Sequence, residues 1–399
     1  MTVVPEPTLL FPRDSAALAA SAGAAEHPDV WVYRYLDRET GWRLSVATCA
    51  APGSGSLSLG GFRIATEERT STPGFDSDRE AIGLAIGMDE KVHWSRLLGI
   101  AGPLARGRAA PVVGGKCVLH PTADARMGQP RDAALLDFAA ACLRDAQARG
   151  GFSIVTGQDL GHGTMSDGAT SSLRYLNARF EGSVVADTSR PTGEGNVVLL
   201  TAMLNAFDVP LHRATVGLIG CGNVGTRVLL SLNVADATVL AMDSSAARRA
   251  ELGAKGIPCF APGEKAALLR APIDALVVNA AGGTLDRESL AALASNPRLR
   301  IVCGSENLAM PGGAAGSESL RAAGKAYAPT ELGGMMGYLT ALEEYLAHVA
   351  GVPFEIDTMI TAASQLSGPI FAATRMFREQ RGAMSFETCL ATFCSRVSE

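Results

Sequence analysis

The hydrophobic pattern changes character along the chain, from alternating segments early on to continuous apolar runs later. Alternation marks Trp31-Val32-Tyr33-Arg34-Tyr35 and Trp42-Arg43-Leu44-Ser45-Val46-Ala47. A period of two predicts strands with one buried face, here antiparallel neighbours within residues 30–51. From Asp78 to Met88, Ala81, Ile82, Ala85 and Ile86 recur at helical spacing and predict a helix. Gly99 to Arg108, rich in Gly, Ala and Arg, reads as a loop. Val112–Leu119 reads as a strand around Gly114-Gly115, and Arg131–Gln147 as a helix. Phe152–Thr156 is a strand running into Gly157-Gln158-Asp159. Residues 1–25, rich in Ala and Ser, predict a helix or a loose arm.

A boundary falls near residues 187–195. After it comes an apolar helix, Asn196–Phe207, and then short runs with no alternation at Ala214–Ile219, Ala237–Met242, Ala275–Val278, Arg300–Cys303 and Ala326–Ala328. Such runs suit a parallel sheet covered on both faces. From Leu339 to the end the chain reads as helical. No internal repeat or low-complexity linker is present.

Composition narrows the class. A chain of 399 residues exceeds one ordinary core, so two domains are expected. A hydrophobic fraction of 47% argues against disorder. A net charge of −5 argues against nucleic acid as the main partner. No apolar run reaches the ~20 residues of a membrane span. The segment Met1-Thr2-Val3-Val4-Pro5-Glu6 lacks a signal-like core. Eight scattered cysteines form no C-x-x-C pair, and the six histidines show no zinc-binding spacing. The expectation is a cytoplasmic protein with reduced thiols and no metal site.

The richest chemistry lies at Gly220-Cys221-Gly222-Asn223-Val224-Gly225, between the apolar run Ala214–Ile219 and a helix-like stretch from Thr226. In a dinucleotide-binding turn, Gly220 makes the tight bend, Gly222 lets backbone approach a pyrophosphate, and Gly225 lets helix pack on strand. Phosphates then meet free N–H groups at the helix N-terminus. Asp243 ends the next apolar run, where an acid suits the hydroxyls of an adenosine ribose and repels a 2′-phosphate. This pattern predicts NAD as cofactor. Arg248 and Arg249 lie just beyond and read as a solvated helix face.

Upstream, Lys116 follows two glycines inside an apolar strand, where burial lowers an ammonium pKa and makes the amine usable as a base or acid. Asp159 ends the next strand between Gly157 and Gly161. Lys91 stands at the expected end of the 78–88 helix. Singly, each has an ordinary alternative, a solvated helix-end lysine or a turn-forming aspartate.

Together these motifs resemble the Glu/Leu/Phe/Val amino acid dehydrogenases, nearest in motifs to the leucine and phenylalanine enzymes. Leu59-Gly60-Gly61-Phe62-Arg63 resembles the L-G-G-x-R turn beneath the substrate. Gly87-Met88-Asp89-Glu90-Lys91 is similar to G-M-T-Y-K, and Gly114-Gly115-Lys116 to G-G-K. Thr156–Gly161 resembles T-G-x-D-x-G. Thr192-Gly193-Glu194-Gly195 resembles T-[AG]-Y-G, and Gly304-Ser305-Glu306-Asn307 resembles G-S-A-N. The matches run in family order over roughly residues 55–340.

The resemblance implies an α/β fold with a cleft between two domains. One is an N-terminal α/β substrate domain, 1–190, to which C-terminal helices 345–399 return. The other is a Rossmann NAD-binding domain, 191–344. It implies reversible NAD-dependent deamination of an L-amino acid to its 2-oxo acid and ammonia, in a homo-oligomer. Lys116 would polarise the 2-oxo group and activate water, Asp159 would shuttle protons, and Lys91 would bind the substrate carboxylate. Leu59, Gly60, Gly61, Gly157, Asn307, Met335 and Tyr338 would contact substrate. Thr192, Ala280 and Asn307 would join Gly220, Gly222, Asn223, Val224, Gly225 and Asp243 around the cofactor.

The chain also departs from the pattern. The Lys91–Lys116 segment is longer by about a dozen residues around Leu98–Ala110, a candidate lid, pocket wall or subunit interface. Glu194 replaces a tyrosine and Glu306 an alanine; each is a surface residue or a recogniser of a positive group. Pro329–Met336 shortens the family's P-D-x-x-x-N-A-G-G stretch and lacks its asparagine. The apolar lining favours an apolar or aromatic substrate side chain, with Met335 and Met336 alternatively filling core. A specialised reductive-amination or imine-reducing enzyme fits these departures, and a catalytically silent NAD-binding sensor is a third reading.

Overall fold

The computed structural model describes residues 4–21, 28–107, 111–311 and 314–398. The chain divides into two compact units. The first comprises Met1–Val92, Pro103–Thr188 and Tyr338–Phe354, and the second His93–Gly102, Ser189–Gly337 and Glu355–Glu399.

The first unit is built on β1 (Thr8–Leu10), α1 (Pro12–Ser21), β2 (Trp31–Leu36), β3 (Arg43–Thr48), β4 (Leu57–Ile64), α2 (Glu67–Thr70), α3 (Ser77–Leu98), β5 (Val112–His120), α4 (Asp132–Gly150), β6 (Ser153–Gln158) and α5 (Ser172–Asn177). Its six strands run in the order β1-β2-β3-β5-β4-β6. β1, β2, β3 and β5 pair antiparallel, whereas β4 runs parallel to both β5 and β6. Tyr33, Tyr35, Leu44, Phe62, Leu119 and the α4 residues Leu135, Phe138 and Leu143 share one core.

Two elements differ from the sequence reading. Leu59–Arg63 lies within β4, a central strand buried along nearly its whole length, and not in a turn. Burial on both faces removes the alternation that marks a strand, and two glycines weaken its propensity. The helix expected over 78–88 continues to Leu98 and ends at Gly99, whose φ of 65° stops it. Lys91 therefore sits inside α3, and its side chain is buried with Val92, Trp94 and Ser95. The polar run Asp89-Glu90-Lys91 had masked the continuation.

The second unit contains α6 (Ser189–Ala206), β7 (Thr215–Ile219), α7 (Asn223–Val234), β8 (Thr238–Met242), α8 (Ala246–Ala254), β9 (Cys259–Phe260), α9 (Lys265–Arg270), β10 (Ala275–Val278), α10 (Arg287–Ser295), β11 (Ile301–Gly304), α11 (Ala314–Ala322), β12 (Ala326–Tyr327), α12 (Thr330–Ala350), α13 (Ile356–Ala363), α14 (Ser367–Glu379) and α15 (Phe386–Ser398). Its strands are all parallel, in the order β12-β11-β10-β7-β8-β9. Counted along the chain this is the 3-2-1-4-5-6 arrangement of doubly wound dinucleotide folds. The order reverses between β7 and β10, and ligands bind at such a switch point beyond the strand C-termini.

The C-terminal helices depart from the expected return. Only Tyr338–Phe354 joins the first unit, and residues from Glu355 onward belong to the second. α13 and α14 pack on α6, and α15 packs on α14. Arg378 fastens this layer by donating to the Ala206 carbonyl at 2.9 Å. Ile370, Ala373 and Phe377 form the buried stripe of α14, and amphipathic spacing alone does not say which surface a stripe covers.

Of the extra segment Leu98–Ala110, residues 108–110 lie outside the described residues. The rest closes in a single 3₁₀ turn, Ala105–Gly107. Glu343 of α12 accepts the N–H groups of Leu104 and Ala105 at 2.7 and 3.2 Å. Its neighbour Glu344 accepts those of Val185 and Ala186, both at 2.9 Å. Among the described residues no helix is long and apolar enough to cross a membrane.

Candidate active site

Within the first unit, β5, β4 and β6 bring the sequence-selected residues together. Leu59 pairs with Gly114 and Phe62 with Cys117, while Gly61 lies opposite Gly157. The glycines answer to close approach. A Cβ on Gly60 would enter the Gly115 carbonyl, and one on Gly61 would lie 2.7 Å from Lys116 Nζ and 3.1 Å from Asp159 Cβ. A Cβ on Gly114 would strike Ala85 O and Asp89 N of α3, and Asp89 Oδ1 accepts the Gly114 N–H at 2.8 Å. Lys91 follows two residues later on the same helix.

Lys116 and Asp159 form a direct ion pair through Nζ and Oδ2. Arg63 donates from Nη2 to Asp159 Oδ1 at 3.1 Å and from Nε to Oδ2 at 3.3 Å. Its Nη1 meets Glu80 Oε1 at 2.5 Å, and Arg69 reaches the same oxygen at 3.0 Å. Lys116, Arg63 and Glu80 are almost wholly buried, while Asp159 keeps 10% side-chain exposure. Burial pushes the Lys116 ammonium below the usual lysine range; Asp159 opposes this and Arg63 reinforces it. Burial alone would raise the Asp159 carboxyl, but Arg63 and Lys116 together hold it well below the usual carboxylate range. The turn carrying Asp159 is fixed by Ile64 N–H donating to Leu160 O at 3.0 Å. Gly161 follows at φ 84°, against the Ile64 carbonyl.

Three residues escaped the sequence reading of the site. Arg63 was visible only as the last letter of a motif, and Glu80 only as a helix residue. His162 lies three residues past Asp159. Its Nε2 is 2.9 Å from the Phe62 carbonyl, which only accepts, so Nε2 carries the proton. Nδ1 then accepts from Ser172 Oγ at 2.9 Å. Burial lowers the His162 pKa, in keeping with this neutral strut beneath β4. A Cβ on Gly157 would meet Val184 Cγ2 at 3.5 Å and Ala341 Cβ at 3.7 Å, so this flank is small and apolar. Leu59 and Tyr338 are buried in the same unit.

The second unit holds the glycine turn at the switch point. Gly220 has φ 85°, and a Cβ there would lie 2.7 Å from Ala280 N. A Cβ on Gly225 would enter the Gly220 carbonyl, whereas Gly222, before Asn223 and Val224, is exposed with open space at that position. Asp243 Oδ2 accepts the Cys221 N–H at 2.7 Å and Oδ1 the Ser245 N–H at 2.8 Å. A carboxylate oxygen accepts two hydrogen bonds, so capacity remains for ribose hydroxyls. Arg248 pairs with Glu251, as a helix-face residue would. Arg249 instead donates to the Asp243 and Ser244 carbonyls, both at 2.8 Å. Asn279, against the glycine turn, accepts at Oδ1 from the Ser305 N–H and hydroxyl, while its buried Nδ2 has no hydrogen-bond partner among the described residues. A clear cradle, free helix N–H groups and an orphaned amide fit a dinucleotide.

An L-tryptophan dehydrogenase from Nostoc punctiforme is similar over 96% of this chain and 97% of its own, at 17% identity and a TM-score of 0.60. The hetero-hexameric glutamate dehydrogenase of Thermus thermophilus, in its leucine-bound form, covers 92% and 87% at 16% identity and a TM-score of 0.62. A Plasmodium falciparum glutamate dehydrogenase covers 96% and 85% at 14% identity and a TM-score of 0.59. The chain has the fold of the amino acid dehydrogenases. The sequence matches no protein-family model and no curated protein.

Several motif positions take a particular form in this dehydrogenase fold. Thr192 and Glu194 lie in the first turns of α6, which starts earlier than its apolar pattern suggested. Thr192 is buried, while Glu194 is half-buried and has no hydrogen-bond or ion-pair partner among the described residues. Met335 and Met336 are fully buried, with Met336 against Gly195, as core filling requires. Glu306 is not a surface residue. It is 1% exposed, and its carboxylate accepts the Ala280 N–H, the Thr284 N–H and the Thr284 hydroxyl at 3.1, 2.9 and 2.6 Å. Asn307 follows it, its carbonyl 3.3 Å from where a Gly282 Cβ would stand.

Proposed function

We propose that this chain is an NAD-dependent amino acid dehydrogenase that interconverts an L-amino acid with its 2-oxo acid and ammonia. The observation carrying this reading is the buried Lys116–Asp159 pair, backed by Arg63, with Lys116 in the middle of β5, Asp159 just past the end of β6, and Gly61 leaving room for both side chains. A lysine whose charged form is disfavoured by burial, beside an ionised carboxylate, can take and return protons.

In this reading the turn Gly220–Gly225 holds the pyrophosphate and Asp243 the adenosine ribose. Thr192, Ala280 and Asn307 approach the nicotinamide end. The dinucleotide, when bound, supplies hydride transfer. Lys91 holds the substrate carboxylate, Lys116 orients the oxygen at C2 and activates water, and Asp159 moves protons at the substrate nitrogen. Net, amino acid, NAD⁺ and water give 2-oxo acid, ammonium and NADH plus a proton. The small apolar flank at Gly157, Val184 and Ala341, with Leu59 and Tyr338, favours an apolar or aromatic side chain, as in the similar tryptophan enzyme. The two units, divided near residue 190, are read as the substrate and cofactor domains, and a cytoplasmic homo-oligomer completes the reading.

A specialised biosynthetic reductive amination is favoured by one observation, the unpartnered carboxylate of Glu194, which a substrate with a positive group would satisfy. The decisive assay follows reduced-nicotinamide absorbance with a panel of amino acids, and separately with 2-oxo acids plus ammonium. Turnover of apolar L-amino acids is expected. NADH binding without turnover of any substrate would mean a silent binding protein.

A further inference from the structure

We infer that Glu306 is a positioning residue for the dinucleotide, holding the Asn279–Thr284 loop against the Gly220 turn. The inference rests on the dinucleotide reading above. The loop follows β10 at the switch point, where a dinucleotide of this fold must pass. It has little stiffness of its own, because Gly282 and Gly283 stand at φ 132° and 75°. It also leaves no slack, because Gly220 approaches Asn279 and Ala280 too closely to carry a side chain. A loop that shifted would displace the turn.

Glu306 ties both ends of that loop. One carboxylate oxygen takes the Ala280 N–H and the Thr284 hydroxyl, and the other takes the Thr284 N–H. The loop's other ties run from Asn279 N–H to Ile219 O at 2.7 Å, from the Ser305 N–H and hydroxyl to Asn279 Oδ1, from Lys265 Nζ to Thr284 O, from Gly283 N–H to Leu308 O at 2.9 Å and from Leu285 N–H to Ala309 O at 2.8 Å. None of these reaches Ala280, the residue beside Gly220. Burial pushes the Glu306 carboxyl above its usual range, so an acid here carries a desolvation penalty that an apolar residue would avoid. The alanine of the resembling G-S-A-N motif has no acceptor with which to make these bonds. Glu306 therefore serves loop position, at some cost to stability.

The test is fluorescence titration of NADH into Glu306→Ala and Thr284→Val, with hydrogen exchange at the Ala280 and Thr284 amides. Glu306→Ala should weaken NADH about tenfold and speed exchange at both amides; Thr284→Val, which removes only one donor, should weaken it about threefold. In turnover assays KM for the dinucleotide should rise while KM for the amino acid stays unchanged. Glu306→Gln, keeping one acceptor, should recover part of the loss. Unchanged NADH affinity in Glu306→Ala overturns the inference, and if that variant does not fold, unchanged affinity in Thr284→Val does so. A wild-type protein that binds no NADH overturns the dinucleotide reading itself.

Discussion

Arg63 Nη2 lies 3.1 Å from Asp159 Oδ1, while Lys116 holds Oδ2 of the same carboxylate. One buried acid thus answers to two cations, and Glu80 balances Arg63 from its other side. Removing one member of such a set strands the rest without solvent. Arg63→Gln should therefore cost about 3–5 kcal/mol in urea unfolding. Arg63 also lowers the Lys116 pKa. Its loss should move the alkaline-rising limb of the pH–rate profile to higher pH, whereas Arg63→Lys should leave that limb in place. A limb that does not move in Arg63→Gln would refute the coupling.

Lys116→Ala and Asp159→Asn should each reduce turnover by at least about 10²-fold while NADH still binds. Normal turnover in either would sink the mechanism. Asp159 also predicts acid behaviour. Its native pKa lies below the unfolded value of about 3.9, so its contribution to stability is present above that pH. As pH falls further, the unfolded chain takes up a proton that the native state resists, and stability drops. Asp159→Asn should flatten this part of a stability–pH curve measured by urea unfolding.

The adjacent glycines of β4 should fail in different ways. A Cβ on Gly60 enters the backbone of β5, which cannot yield without parting the sheet. Gly60→Ala should lose about 1–3 kcal/mol of stability. A Cβ on Gly61 meets the far end of Lys116, which can swing aside at the expense of its ion pair with Asp159. Gly61→Ala should stay folded and lose turnover. Thermal melts and kcat on the two variants decide the matter, and a Gly61→Ala enzyme with full activity would contradict the crowded geometry.

What the sequence made legible follows from how each feature is encoded. The parallel sheet around β7 and the turn Gly220–Gly225 were legible because apolar runs and glycine spacing are local signals. Lys116 and Asp159 were legible because glycines flank both. Arg63 and Glu80 were not, because a charge reads as exposed until its partner, distant in sequence, is known. For the same reason the burial of Glu306 was not legible, and it was left open between a surface residue and a recogniser of a positive group. β4 was misread since a strand buried on both faces shows no period. The C-terminal helices were placed on the first unit because an amphipathic stripe does not name its partner.

Asp243→Ala should relax the preference for NAD over NADP. The acid both repels a 2′-phosphate and, through Cys221 N–H, holds the glycine turn. Arg249 already reaches the carbonyls of Asp243 and Ser244. Once the carboxylate is gone, that guanidinium stands ready to pair with a phosphate. The ratio of kcat/KM for the two dinucleotides should shift toward NADP. A ratio equal to that of the wild type would dismiss Asp243 as the ribose residue. Asp243→Asn should keep part of the turn and so separate repulsion from support.

Glu343→Ala should loosen the extra segment before Lys116 and leave the rest of the first unit folded. Glu343 is the acceptor for two backbone donors, Leu104 and Ala105, at the start of a 3₁₀ turn. A turn this short cannot satisfy those donors itself, and the acid acts as its cap. Losing a cap costs about 0.5–2 kcal/mol. That loss falls on the local segment, because Glu344 still holds Val185 and Ala186 independently. Cleavage by trypsin after the exposed Arg106 should accelerate, with the melting temperature of the whole chain lowered only slightly. If cleavage there stays as slow as in the wild type, the segment is held by other contacts and Glu343 is dispensable to it.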